Sequence, residues 1–270
     1  MKQEIERVSR GESTAALWPV GDEMPGGFSA AFATRAMSAP GLPPLVDFAR
    51  TGGDAAKQAR DRLCEALGLP PGSLSFAKQI HSADVAVAGP GQNEASGFLP
   101  DADALISNAE GAALAVFTAD CVPILMADPE SGAMAAVHAG WRGMTSGVIE
   151  NALAAMKREF GTNPQGVSAR LGPCVGLCCY EVGGELLERL SDSDRKHLRP
   201  RETGGPRLDL DACCRTRLEA AGVNPKNVFS AGVCTKCRPN LFASYRGRAG
   251  GLNISIILKR PHHGGAQCLK

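Results

Sequence analysis

Three short segments of this chain each carry a side chain able to bind a metal or attack an electrophile: QIHSADV with His81, FTADCVPILMADP with Cys121, and AVHAGWRG with His138. The three residues are 40 and 17 positions apart, so only the tertiary fold can bring them together. Two imidazoles and a thiolate make a three-ligand set for zinc, and a catalytic zinc keeps its fourth position for water or substrate. Such an ion lowers the pKa of bound water towards ~7. Two other readings of the same residues stay open. In one, Cys121 is a nucleophile activated by His138 or His81. In the other, the three are core histidines and a buried thiol. On the residues alone the last of these is the favoured reading, and the interest of the three lies in their local settings. Cys121 follows Thr118-Ala119-Asp120 where Pro123 interrupts a strand, and His138 ends an apolar run before Gly140-Trp141-Arg142-Gly143. That glycine turn opens a helix, where backbone N–H groups favour anions, and Arg142 adds a bidentate charge partner.

The remaining reactive residues form weaker patterns. Ten cysteines in a chain of this size, with no export signal in view, do not read as a disulfide framework. Cys234-Thr235-Lys236-Cys237 could be half of a four-cysteine zinc site completed by Cys174, Cys178 or Cys179. It is a single C-x-x-C, so packing thiols are the favoured reading. Asp120 could orient a ligand histidine or simply stabilise a turn. Glu181, beside Tyr180, reads as a capping or surface carboxylate before an acid/base, and His262-His263 as part of a solvated tail. Five histidines cannot furnish both a blue-copper site and a trinuclear cluster, which argues against copper-dependent polyphenol oxidation. None of the five has Glu two positions later, so the cytidine-deaminase pattern is absent as well.

The elements that must position these residues can be read coarsely. Residues 26–35 predict a strand, and Pro- and Gly-rich 36–53 a loop. A helix is expected over 54–67, capped by Asp54 and stopped by Gly68. Closely spaced apolar runs at 74–80, 84–88, 103–107, 112–118, 122–127 and 133–138 read as strands of one substantial sheet system. A helix over 145–159 follows, then a strand at 166–171 and a helix over 181–190. Asp209 or Asp211 caps another helix, which ends at Gly222, and strands at 227–233 and 252–258 complete the set. Successive strands lie too close for repeated βαβ crossovers, so the class is α+β with antiparallel or mixed sheets.

With 270 residues, no repeat and no composition break, a single domain spanning 1–270 is expected, with a loosely held arm at 1–25 and a flexible tail at 261–270. Twenty-nine basic against 28 acidic residues leave a net charge of +1, with no field to draw nucleic acid or an anionic membrane. Aromatic residues are 5%, too few for a base-stacking platform. No apolar run reaches the ~18 residues of a spanning helix. MKQEIERVSRGEST is charged and lacks the apolar core of a secretory signal, so a cytoplasmic location is expected.

In chain order, QIHSADV, DADALIS, FTADCVPILMADP, AVHAGWRG, GPCVGLCCYEVG, Cys234-Thr235 and Ser244-Tyr245-Arg246 closely resemble the bacterial laccase-domain family, also called polyphenol oxidases or peptidoglycan editing factors. The resemblance spans about residues 26–258. It implies a four-layer αββα sandwich with mixed sheets. It implies zinc held by His81, Cys121 and His138, the positions matching the family's ligands. It also implies purine nucleoside phosphorylase activity on adenosine, inosine and methylthioadenosine, with adenosine deaminase activity. The partners are then a small nucleoside and phosphate. The residues expected to carry the reaction are Cys121, His138 and Arg142, and a Cys-His hydrolase using Cys121 is the alternative. The chain departs from the family pattern at Ala36-Met37, where Gly-Gly is usual after Thr-Arg. It departs also in VDFARTGGDAAK, at Ser82 in place of a common Gly, and at the second cysteine of CTKC.

Overall fold

The computed structural model describes residues 6–10, 13–18, 24–35, 53–89 and 99–260. In chain order these form β1 (Glu6–Arg10), β2 (Ser13–Trp18), β3 (Phe28–Ala33), α1 (Gly53–Ala66), β4 (Leu74–Ser75), β5 (Val85–Val87), β6 (Ala104–Ser107), β7 (Ala113–Thr118), β8 (Val122–Asp128) and β9 (Ala133–Ala139). They continue with α2 (Trp141–Thr145), α3 (Val148–Phe160), β10 (Ser168–Leu171), α4 (Glu185–Arg189), α5 (Asp192–Arg195), β11 (Leu198–Arg199), β12 (Arg207–Leu208), α6 (Leu210–Ala220), β13 (Val228–Ser230) and β14 (Asn253–Lys259). Two six-stranded mixed sheets carry the fold, ordered β1-β2-β3-β14-β7-β4 and β13-β10-β8-β9-β6-β5, beside a two-stranded β11-β12 ribbon.

The period-2 alternation of the strands assigns their faces. In β7, Ala113, Ala115 and Phe117 join the core under α1, while Leu114 and Val116 point the other way. In β8 and β9, Val122, Ile124, Met126, Ala135 and Val137 pack against α3 and α6, while Leu125, Met134 and Ala136 face the first sheet. Three stacked cores therefore separate α1, the first sheet, the second sheet and the α3/α6 layer, giving a four-layer αββα sandwich. Strands apolar on both faces are the consequence of burying both, as β9 AMAAVHA shows. His138 belongs to the Met134/Ala136 row, so it emerges between the two sheets at one end of the sandwich.

Several boundaries differ from expectation for identifiable reasons. Of the segment expected to be a loose arm, residues 6–10 and 13–18 form an antiparallel hairpin that continues the first sheet through β3, with Leu17 buried in the core under α1. The helix expected over 145–159 is two pieces, because Gly147 adopts φ +92 between α2 and α3. The helix expected over 181–190 begins only at Glu185. Gly184 sits at φ 50, ψ −132, and Glu181 makes an isolated antiparallel bridge to Arg207. The strand expected over 74–80 is regular only at Leu74–Ser75, and the rest is extended coil. Asp209 is the α6 cap, accepting from the Ala212 N–H. The loop expected over 36–53 and the tail at 261–270, with His262 and His263, lie outside the described residues apart from Gly53, which opens α1. No helix among the described residues is long and apolar enough to cross a membrane.

Candidate metal centre

Antiparallel pairing of β8 with β9 sets Val122 opposite Ala139 and Pro123 opposite His138. Cys121, one residue before β8, is thereby delivered to His138 across neighbouring strand ends. His81 arrives from the coil between β4 and β5, which two clamps hold. Gln79 grips β7 through both amide atoms, donating to the Phe117 carbonyl at 2.7 Å and accepting from the Phe117 N–H at 2.8 Å. Asp103, one residue before β6, accepts from the N–H groups of Ile80, His81 and Ser82 at 3.1, 2.9 and 2.7 Å. The Ser82 hydroxyl adds a bond at 3.0 Å, so the residue that departs from the family's glycine tightens the turn. His81 takes φ +61, a left-handed conformation that non-glycine residues adopt only where surroundings enforce it.

The same carboxylate orients the second imidazole. His138 Nδ1 lies 2.7 Å from Asp103 Oδ1, and both side chains are buried. With Nδ1–H donated to Asp103, Nε2 is left free for a ligand's role. The two imidazole centroids are 4.8 Å apart at 80°, and Cys121 Sγ is 4.0 Å from His81 Nε2. The ligand atoms of His81, Cys121 and His138 all lie within 4.8 Å of one another. A tetrahedral zinc with ~2.3 Å to sulfur and ~2.1 Å to nitrogen requires neighbouring donors about 3.3–3.6 Å apart, so small rotations suffice to close the set. The backbone leaves room for it. A Cβ on Gly140 would come within 2.9 Å of Cys121 Sγ and of His81 Cδ2. The residues present thus fit a zinc ion.

Charge in the group is arranged for the same purpose. Burial pushes the Cys121 thiol up, but the adjoining His138, aided by His81, overrides it and holds the thiol at about 6. Burial opposes the charged form of His138, yet Cys121 and Asp103 raise it to about 9. Asp103 is held near 2, burial being outweighed by His138 and the Ser82 and Ile80 amides. The favoured thiolate is the form a metal ion accepts.

A cavity of about 560 Å³ opens on this group, with Phe117, Trp141, Tyr180, Tyr245, Arg142 and Arg246 in its lining. Arg142 stacks on Trp141, its guanidinium carbon 4.1 Å from the ring centroid, and pairs with Glu185 at 3.1 Å. It thus reaches the cavity already carrying an anionic partner.

Of the two readings of Asp120, the structure supports the turn-stabilising one: among the described residues its carboxylate bonds to hydroxyls and a backbone N–H and not to a histidine. At φ +95, the Asp120 carboxylate accepts from Thr235 Oγ1, Ser244 Oγ and the Arg246 N–H at 2.6–2.7 Å, tying two points of the β13–β14 loop to the Cys121 turn. Asp103, overlooked in DADALIS, is the residue that orients a ligand. The signal was a single carboxylate at the head of an otherwise apolar strand. The cysteines of CTKC are not incidental packing thiols: Cys234 and Cys237 meet Cys178 and Cys179, with all four sulfurs within 4.8 Å of one another, while Cys174 stays outside the group. Glu181 accepts from the Gly205 N–H and pairs with Arg201, as the surface-carboxylate reading expects.

The fold and this site define an αββα protein with a candidate three-ligand metal site, and comparison with known proteins places the family. Residues 47–260 match the family model described as multi-copper polyphenol oxidoreductase laccase. The chain belongs to this laccase-domain family. A purine nucleoside phosphorylase of Streptomyces coelicolor is 37% identical over 192 residues, covering 71% of this chain and 77% of that one. A protein named adenosine deaminase, from an unknown prokaryotic organism, is 33% identical over 213 residues, covering 75% and 80%. The crystal structure of YlmD from Geobacillus stearothermophilus superposes with a TM-score of 0.81 at 26% identity, over 94% of this chain and all of that one. The names of the two sequence relatives are those of enzymes acting on purines.

Proposed function

We propose that this protein is a zinc-dependent purine nucleoside phosphorylase acting on adenosine, inosine and methylthioadenosine, and that it also deaminates adenosine. The observation that carries this reading is the convergence of His81, Cys121 and His138 on a cavity lined by both aromatic faces and guanidinium groups. Zinc held by these three residues would supply Lewis acidity in that cavity. The chain's own residues do the rest. The faces of Phe117, Trp141, Tyr180 and Tyr245 suit a flat purine. Arg142 and Arg246 present forked N–H donors to phosphate. In phosphorolysis a phosphate oxygen bonds to the anomeric carbon as the glycosidic bond breaks, and the purine leaves with the electron pair. Arg142 is the residue proposed to hold the attacking phosphate, exchanging Glu185 for it. In deamination water adds at the ring carbon bearing the amine and ammonia departs. Asp103 keeps His138 in one tautomer throughout.

Product analysis with and without phosphate tests this reading. Zinc-loaded protein should release ribose 1-phosphate from inosine only when phosphate is present, and inosine from adenosine in either case. Neither product from any nucleoside would overturn the assignment. The thiolate beside an imidazole also fits a Cys-His hydrolase in which Cys121 attacks an ester or amide. That reading requires turnover that survives chelation and an acyl adduct on Cys121.

A further inference from the structure

Cys178 and Cys179 end the turn after β10, and Cys234 and Cys237 lie in the loop between β13 and β14. Their sulfurs come together although 58 and 59 residues separate the contacting pairs. Cys179 Sγ is 3.4 Å and Cys178 Sγ is 3.6 Å from Cys237 Sγ, and the full set of four lies within 4.8 Å. A tetrahedral ion at ~2.3 Å from each sulfur places the sulfurs about 3.8 Å apart, which these spacings bracket. Gly176 is fitted to this group: a Cβ there would lie 3.1 Å from Cys234 Cβ and 3.4 Å from Cys178 Sγ. Two of the thiols, Cys178 and Cys237, are exposed, and Cys179 and Cys234 are half-buried.

We propose that Cys178, Cys179, Cys234 and Cys237 form a second, closed tetrahedral zinc site, distinct from the His81–Cys121–His138 group. Four protein thiolates leave no position for substrate, so its role is structural. It staples two irregular loops that otherwise meet through a short bridge at Cys174 and Cys234 and an Arg246 bond to the Glu181 carbonyl. Those loops carry Tyr180, Tyr245 and Arg246, three residues of the cavity lining. At their inner end the β13–β14 loop is held by the Asp120 carboxylate, and the loop after β10 by the Val175 N–H on the Asp120 carbonyl. The metal closes their outer end.

The site does not depend on the nucleoside reading. Full-length protein purified under reducing conditions should carry about two zinc ions per chain. Cys121→Ala should carry about one, Cys237→Ala about one, and the double variant none. X-ray absorption of wild-type protein should show sulfur ligands outnumbering nitrogen, and of Cys121→Ala sulfur alone; both serve if Cys237→Ala fails to fold. Cobalt loaded into Cys121→Ala should give the intense visible bands of a tetrahedral thiolate complex. The proposal is overturned if folded Cys121→Ala holds no zinc, or if the reduced wild-type protein has four thiols that react freely with a thiol reagent while zinc is bound. Nucleoside turnover that is absent from protein still bearing thiolate-bound zinc would sink the activity and leave this site standing.

Discussion

Two clusters of potential metal ligands in this molecule both adjoin Trp141 and Arg142, and they are built in opposite ways. In the His81–Cys121–His138 corner the donors come from strand ends and a doubly clamped coil, and a buried carboxylate fixes their orientation before any ligand arrives. In the four-cysteine corner every donor comes from a loop, and no buried charge organises them. The first is preorganised and opens on a cavity. On the proposal above, four protein sulfurs close the second, and the ion completes its order. On the readings proposed above, the preorganised corner is where chemistry is done and the thiolate set is where chain is held.

That contrast can be broken most directly at Cys121. Cys121→Ala should reduce phosphorolysis and deamination to background while leaving the melting temperature close to wild type, as read by steady-state assay and calorimetry. If activity survived, the first corner would not be the catalytic one. Next in size, Asp103→Asn should lower zinc affinity or kcat/KM by about 10–100-fold, the usual penalty for losing a residue that orients a ligand. It should also unfold more readily, because His138 and three backbone N–H groups lose a charged acceptor. Cys237→Ala should show the reverse balance: a clear fall in thermal stability, with turnover at saturating substrate held within about tenfold of wild type. Equal damage to kcat in Cys237→Ala and Cys121→Ala would erase the distinction between the corners. Arg142→Ala should raise the KM for phosphate by about tenfold, the loss of one charge-assisted hydrogen bond, with zinc content unchanged. The smallest effect is expected for Glu185→Gln, which frees Arg142 from an exposed ion pair worth roughly 0–1 kcal/mol and should lower the phosphate KM by a few-fold at most.

The difference between the corners also explains which parts of the molecule could be read in advance. Strands such as 112–118, 122–127 and 133–138 were legible because burial on both faces demands unbroken apolar runs, and the α+β class followed from their close spacing. His81, Cys121 and His138 were legible because each stands at the end of such a run, in segments whose order resembles one family. Asp120 was visible as a charge in an unusual place, but nothing local tells whether such a carboxylate faces a histidine or a hydroxyl 115 residues away. The second half of the cysteine group was hidden for the same reason. Vicinal Cys178-Cys179 has no ligand spacing of its own, and its meeting with Cys237 rests on tertiary contacts such as the parallel bridge between Cys174 and Cys234. Helix ends at 146–147 and 183–184 were missed because two glycines take backbone conformations that periodicity does not encode.

What the amino-acid order determined by itself is therefore local: which segments are apolar on both faces, where glycine and proline end them, and which side chains at those ends have donor atoms. Which donors meet was decided by the tertiary structure alone. The β8–β9 register sets Cys121 beside His138, Asp103 draws the His81 coil onto the same corner, and the packing of two loops gathers four thiols from opposite sides of α6. Such meetings depend on pairings across tens to more than a hundred residues, and the energy that selects them comes from burying whole faces of the sheets, a property of the assembled layers that no single segment carries.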